Sequence, residues 1–288
     1  MDEDFYERPR DAALSLSGEA SPGYIVYHDV PGRIHASVPG VRLLAVLRDP
    51  VDRAYSAYEY HYLRHMRETS NIDPDARGHA EIRPRPMTFL ELAQQEIEHL
   101  KRCLDAFAKA HGEGALVDLS DECYKKRNVR QQWPDSRWTT WPFVTPRKAQ
   151  WVYRSMIARG RYADQLSHYF AEWGKKEHFL HVVCSEDLLE KPAQTMAAVA
   201  EFLGLPGPPH FAFDKVVAKG MYNVHGAEGY EQATIPDGWG ENAGAAYGQR
   251  VRAAIPPEAK KVLGAYFKPH NERLFKMIGK RCRWMSGG

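Results

Sequence analysis

The sequence predicts a single α/β domain over residues 1–288, with a mainly parallel central sheet flanked by helices in three layers. Apolar runs of strand length occur at Leu43–Leu47 and Phe179–Cys184, and segments with apolar residues at helical spacing lie between and after them. The 288 residues, of which 43% are hydrophobic, are enough for one large core. Because strands alternate with helices and no repeat or linker divides the chain, we expect parallel strands joined through helices.

The first strand runs directly into a helix. Leu43–Leu47 is an unbroken apolar run, which is typical of a buried parallel strand. Asp49 stands where a helix N-cap belongs, and Pro50 occupies the first helical position, where its missing N–H costs nothing. We expect a helix over Pro50–Arg67, whose aromatic residues at helical spacing pack into the core: Tyr55, Tyr58 and Tyr62.

The elements that follow are predicted from caps and apolar stripes. Residues 68–86 are polar and proline-containing, which predicts an exposed loop. Thr88 and Glu91 form a capping box that opens a helix with one apolar side. Further helices are expected from Tyr162, from Pro192 to Gly204, and over Pro257–Ile278.

Composition excludes several classes of function. A formal net charge of +2 and a pI near 8.2 give no case for nucleic-acid binding. No run of about 18 apolar residues and no secretory signal peptide occurs in the sequence. The four cysteines fit no zinc motif, so we expect no metal, and Cys184, at the end of an apolar strand, is predicted to be a buried thiol.

The turn between the first strand and its helix suits an anion. Such a turn aims free backbone N–H groups and the positive end of the helix dipole at one point. Arg48 adds a fork of donors and Ser56 a hydroxyl, a combination that fits a phosphate. A capped helix start with a surface arginine is the alternative interpretation of the same residues.

The longer pattern around Arg48 and Ser56 is more specific than these two residues alone. It is Arg48-Asp49-Pro50-x-x-Arg53-x-x-Ser56-x-Tyr58. It is similar to the 3′-phosphate-binding segment of sulfotransferases that use 3′-phosphoadenosine 5′-phosphosulfate (PAPS). The resemblance implies that Arg48 and Ser56 hold the 3′-phosphate of PAPS. It also implies a P-loop NTPase-like fold and transfer of a sulfuryl group.

Other segments resemble the carbohydrate branch of that family, the heparan and chondroitin sulfotransferases of the Golgi. They occur in the family's order along nearly the whole chain, and include Gly18-Glu19-Ala20-Ser21-Pro22-x-Tyr24, Arg159-Gly160-Arg161-Tyr162, Ser185-Glu186-Asp187-Leu188 and Lys219-Gly220-Met221-Tyr222. By this resemblance Tyr222 packs on the nucleotide, although a tyrosine in a hairpin is also commonly a core anchor. The acceptor is then a glycosaminoglycan-like carbohydrate hydroxyl.

The resemblance implies in-line displacement at sulfur, with a carboxylate that deprotonates the acceptor hydroxyl. It places this base at Asp2 or Glu3, and it puts Glu19 in the acceptor-side turn. The alternative role of Glu19 is capping or bonding local backbone N–H groups. The family's Lys-x-Gly-Thr/Ser loop for the 5′-phosphosulfate does not occur in the sequence, so we expect the chain to begin just past it.

Three functional hypotheses remain open from the sequence. They are a PAPS-dependent carbohydrate sulfotransferase, an inactive relative that binds nucleotide or sulfated glycan, and another P-loop-like nucleotide enzyme such as a kinase. The third is disfavoured because no Walker-type loop is found. The family resemblance implies the Golgi lumen, with membrane attachment only through an N-terminal anchor that we expect to be missing.

Two further segments are ambiguous. Residues 125–151 interleave basic side chains with tryptophans, which suits a sulfated or carboxylated sugar; a loop anchored by its tryptophans is the alternative. A cysteine pair placed like Cys103 and Cys123 occurs in chondroitin-type relatives. The resemblance therefore favours a disulfide if the chain is lumenal, and two free thiols if it is not.

Overall fold

A computed structural model describes residues 16–59, 87–125, 155–174, 179–206 and 255–284. In these ranges the elements are two strands and seven α-helices. The strands are β1 (Leu43–Leu47) and β2 (Leu180–Cys184). The helices are α1 (Val30–Ser37), α2 (Pro50–Ala57), α3 (Phe89–His111), α4 (Tyr162–Trp173), α5 (Ser185–Glu190), α6 (Pro192–Leu203) and α7 (Pro257–Ile278).

The two strands pair in parallel, from Leu43 opposite Leu180 to Leu47 opposite Cys184. Their carboxyl ends therefore share one edge of the sheet, and each strand is followed there by a helix. The predicted α/β class with parallel strands is confirmed. The edge at which β1 and β2 end is where an open α/β sheet normally binds its ligand.

Burial of β1 differs from the expectation. Leu47 is buried and Leu43 and Ala45 pack into the core, whereas Leu44 and Val46 are 44% and 61% exposed. The prediction of a strand buried throughout is therefore wrong. In the described part of the chain the core packs against one face of β1, and alternate side chains of a strand point to opposite faces.

Two apolar clusters form the core, and α7 takes part in both. The first cluster joins α2, α3 and the first half of α7 through buried residues that include Tyr55, Phe89, Leu100 and Phe267. The second joins the sheet, α4 and the second half of α7 through buried residues that include Leu166, Trp173, Leu274 and Trp284. The long last helix thus holds α2 and the sheet in one arrangement.

The helix starts follow the predicted local signals. Thr88 and Glu91 form the capping box at α3, and Gly204 ends α6 in the left-handed conformation with φ 72°. Helix α2 begins at Pro50 as expected, and its α-helical part ends at Ala57. Tyr55 and Tyr58 are buried as predicted, whereas Tyr62 and the exposed loop 68–86 lie outside the described residues.

All four cysteines are paired. Cys103 bonds Cys123, which decides the alternative that the sequence left open in favour of a disulfide. Cys184 bonds Cys282, so the prediction of a buried free thiol at Cys184 is wrong, although the residue is fully buried. The partner is 98 residues away in sequence and reaches Cys184 only because α7 returns the chain to the sheet.

Candidate anion-binding site

The start of α2 is built as its sequence predicts. Asp49 is the N-cap, and its Oδ1 accepts a hydrogen bond of 2.9 Å from the backbone N–H of Val51. Pro50 follows in the first helical turn and is fully buried. The cap orients the first turn of α2, whose backbone N–H groups and dipole favour a negative charge nearby.

Arg48 directly precedes this helix start, and Ser56 lies near the other end of α2; both side chains are partly exposed. The Arg48 side chain is 41% exposed, and its Nη2 lies 3.5 Å from Oδ2 of Asp52. Ser56 is four residues beyond Asp52 and so shares its face of α2, and its side chain is half-buried. A guanidinium, a hydroxyl and a helix N-terminus are therefore available to a phosphate on one side of α2.

Two more arginines add positive charge in this region, with Arg53 near Arg48 and Arg159 near Arg53. The Nη2 of Arg53 donates a hydrogen bond to the carbonyl oxygen of Met156, and the Nε of Arg159 donates one of 3.1 Å to Ser155 Oγ. Burial lowers the pKa of the Arg53 guanidinium, and the pKa of Arg159 is lowered by burial and then by the charge of Arg53. Burial is the larger cause in both cases, and the charge of a neighbouring arginine adds to it.

A buried carboxylate fixes the turn that packs against α2. Glu96 of α3 is 1% exposed and accepts hydrogen bonds from the backbone N–H groups of Ile157 and Ala158, each 2.9 Å, and from the Tyr124 hydroxyl, 2.7 Å. Burial raises the pKa of the Glu96 carboxyl to about 7, against the opposing effect of these donors.

Sequence reasoning missed Glu96, although a signal for it was present. The residue stands midway between Leu92 and Leu100 at helical spacing, and therefore on the apolar side of α3. A charged residue at such a position requires partners in the core. Its partners lie 28 residues further along the chain at Tyr124 and 61 and 62 residues further at Ile157 and Ala158, where no local pattern reveals them.

Of the three predicted catalytic carboxylates the structure describes Glu19, and the hydrogen bond of Glu19 is made away from Arg48. Glu19 is exposed, and its Oε1 accepts a hydrogen bond of 2.5 Å from the Tyr24 hydroxyl, a bond that raises the pKa of Tyr24. The donor is a side-chain hydroxyl rather than the backbone N–H groups of the alternative role. Asp2, Glu3 and Tyr222 lie outside the described residues, as do the basic and tryptophan-rich residues 126–151.

The described ranges contain neither a cluster of metal ligands nor a membrane-spanning helix. No group of three or more His, Cys, Asp and Glu side chains in those ranges is arranged to hold a metal ion. None of the helices there has the length of apolar sequence that a bilayer crossing requires.

Comparison with known proteins identifies the family. The family model described as "Sulfotransferase domain" matches residues 6–224, which is about three quarters of the chain and includes the Arg48–Ser56 segment. The chain belongs to the sulfotransferase domain family. This confirms the family that the Arg48 to Ser56 pattern predicted.

Curated relatives of this sulfotransferase-domain chain are heparan sulfate sulfotransferases. It is 25% identical to heparan sulfate glucosamine 3-O-sulfotransferase 6 and 24% identical to heparan sulfate glucosamine 3-O-sulfotransferase 3B1, both from Homo sapiens. Each match covers 96% of this chain, and 58% and 52% of the respective relative. The chain thus spans about half the length of the curated relatives it matches.

A solved sulfotransferase from Alicyclobacillus acidocaldarius is also similar to this chain. Its sequence identity is 20% and its TM-score is 0.45. The similarity covers 92% of this chain and 65% of the bacterial one.

Proposed function

We propose that this protein is a sulfotransferase that moves a sulfuryl group from PAPS to a hydroxyl of a carbohydrate acceptor. The observation that carries the proposal is α2, where Arg48 directly precedes the capped N-terminus and Ser56 lies further along the face that carries Asp52, the partner of Arg48. A 3′-phosphate placed there meets the guanidinium of Arg48, the hydroxyl of Ser56 and the positive end of the helix dipole.

The half-exposed state of Arg48 supports binding rather than a purely structural role. Its contact with Asp52 is long at 3.5 Å, and both side chains are partly in water, so the pair contributes little to stability. A phosphate dianion carries more charge than Asp52 and matches the guanidinium fork in two places. Arg48 therefore gains by exchanging Asp52 for a phosphate.

The proposed acceptor is a glycosaminoglycan-like sugar. This part of the proposal rests on the names of the curated relatives, which are heparan sulfate glucosamine 3-O-sulfotransferases, and on the basic, tryptophan-rich residues 125–151. Aromatic rings pack on sugar faces and guanidinium groups pair with sulfate or carboxylate. The two disulfides support a proposed location in the lumen of the Golgi, because disulfides persist in oxidising compartments.

In the proposed reaction a carboxylate takes the proton of the acceptor hydroxyl while the hydroxyl oxygen attacks the sulfur of PAPS. The bond between sulfur and the 5′-phosphate breaks, and 3′-phosphoadenosine 5′-phosphate (PAP) leaves. Asp2, Glu3 and Glu19 are the proposed candidates for this base, and Tyr222 for a contact with the nucleotide. Placement of the reactants and neutralisation of charge supply most of the rate in such group transfers. No metal is invoked in this proposal.

Calorimetric titration with PAP and with AMP tests the donor site, because AMP differs from PAP by lacking the 3′-phosphate. We expect Arg48→Ala to weaken PAP binding by roughly 10- to 100-fold, the worth of a charged hydrogen bond, and to leave AMP binding nearly unchanged. The matched control is Arg102→Ala, which removes an exposed arginine that also pairs with a carboxylate four residues away, Glu98.

The outcomes separate the hypotheses. Equal binding of PAP and AMP by the unaltered protein contradicts the role of Arg48 and Ser56. Selective PAP binding without transfer of sulfate from PAPS to a desulfated glycosaminoglycan favours the alternative, a sulfotransferase-like binding protein. Transfer of labelled sulfate to the glycan supports the full proposal.

A further inference from the structure

The peptide unit between Arg48 and Asp49 is held at both of its polar groups. Its carbonyl oxygen, from Arg48, accepts a hydrogen bond of 3.0 Å from the Tyr162 hydroxyl. Its N–H, from Asp49, donates one of 3.2 Å to Oε1 of Glu186. Because the two groups belong to one rigid plane, bonds at both ends fix the rotation of that plane.

The two side chains that hold this peptide come from separate elements. Tyr162 is the first residue of α4 and is 6% exposed, and burial raises its pKa to about 12, so its hydroxyl remains a donor at neutral pH. Glu186 lies in α5, directly after β2. Neither side chain belongs to the strand or the helix that it orients.

Trp284 supports both of them. Its indole Nε1 donates a hydrogen bond of 3.1 Å to Oε2 of Glu186, and its ring lies 5.8 Å from the ring of Tyr162. The Cys184–Cys282 disulfide joins the end of β2 to the same C-terminal segment two residues before Trp284. The support is therefore buried and covalently tied to the sheet edge.

Rotation of the Arg48–Asp49 peptide would change two parts of the anion site together. It lies between the residue that carries the guanidinium and the residue that caps α2, so its angle sets how Arg48 leaves the strand and how the helix N-terminus points. A phosphate that contacts both groups requires them at one mutual angle. A ligand that contacts neither is indifferent to that angle.

We propose that Tyr162 and Glu186 are positioning residues that give this site its selectivity for a nucleotide with a 3′-phosphate. The inference rests on the proposed function, since it needs the 3′-phosphate to bind at Arg48. Tyr162 and Glu186 act through the peptide and touch no substrate. Their effect is therefore specific to the 3′-phosphate and should not extend to the rest of the nucleotide.

Tyr162→Phe tests this role because it removes one hydroxyl and keeps the ring against Trp284. We expect PAP to bind about tenfold more weakly, from the loss of a hydrogen bond at the buried peptide, and AMP to change by less than about twofold. Tyr169→Phe is the matched control. Tyr169 lies on the same helix, is also 6% exposed, and its hydroxyl also donates 3.0 Å to a backbone carbonyl, that of Tyr24.

Trp284→Phe provides a second variant if Tyr162→Phe does not fold. It removes the indole N–H that orients Glu186, and the same loss of PAP-over-AMP selectivity is expected. If the unaltered protein prefers PAP and both variants keep that preference, the positioning role is overturned and the proposed function stands. If the unaltered protein binds PAP and AMP equally, the proposed function fails and this inference fails with it.

Discussion

Gly160 is the position where one methyl group most directly tests the packing against α2. A Cβ at Gly160 would lie 2.9 Å from the Cβ of Pro50 and 2.9 Å from two ring atoms of Phe267. Both neighbours are fully buried, so neither can turn into open space. The backbone of Gly160 is not left-handed, so the cost of Gly160→Ala is the clash alone.

The magnitude follows from two opposing effects. Forcing an extra carbon into a filled core costs about 3 kcal/mol at the upper end of the usual range. Replacing glycine by alanine returns about 0.5–1 kcal/mol, because the unfolded chain has fewer conformations. The net loss is about 2 kcal/mol. For a chain of 288 residues, whose unfolding entropy is about 0.6 kcal/mol/K, this lowers the melting temperature by about 3 °C.

Thermal unfolding followed by circular dichroism measures this loss. Gly40→Ala is the control, because a Cβ there has nothing within 4 Å and its backbone is not left-handed either. Since the displaced neighbour is Pro50, the first residue of α2, Gly160→Ala should also weaken PAP binding more than AMP binding. Equal melting temperatures for the two variants would refute the close packing of the 158–160 turn on α2.

Two further predictions concern stability. The pKa of Glu96 is about 7 in the folded protein, whereas its usual value, which the unfolded chain has, is 4.5. The folded protein therefore holds this proton more tightly, and the free energy of unfolding should fall by about 3 kcal/mol as the pH rises from 4.5 to 7. Urea unfolding across that range should show a flatter pH dependence in Glu96→Gln, and an unchanged slope would contradict the shift. Cys184→Ser opens a loop of 98 residues and should lower the free energy of unfolding by about 4–5 kcal/mol. Cys103→Ser opens a loop of 20 residues and should lower it by about 3 kcal/mol. Urea unfolding measures both losses, and the reverse order would contradict this prediction.

Much of the local structure could be predicted because its causes lie within one or two helical turns. The Asp49 cap, the Thr88 capping box and the Gly204 helix end all depend on neighbouring residues, and all three are found where the sequence predicts them. The candidate anion site was predicted for the same reason, since Arg48 and Ser56 belong to one strand–helix segment.

The failures of prediction share a physical cause. An apolar run at Leu43–Leu47 does not reveal whether one or both faces of the strand are covered, because that depends on which elements reach the sheet. Cysteine spacing did not reveal the Cys184–Cys282 bond, because a disulfide requires proximity in space rather than in sequence.

The sequence by itself determined the family and the helix starts, and it supplied the two residues that we propose bind a 3′-phosphate. Only the tertiary structure decided what surrounds them: Glu96 holding the turn against α2, and Tyr162 with Glu186 holding the peptide at Arg48. The physical reason is that a buried polar group must find its partner wherever the fold supplies one. For Asp49 and Glu186 that partner is 137 residues away.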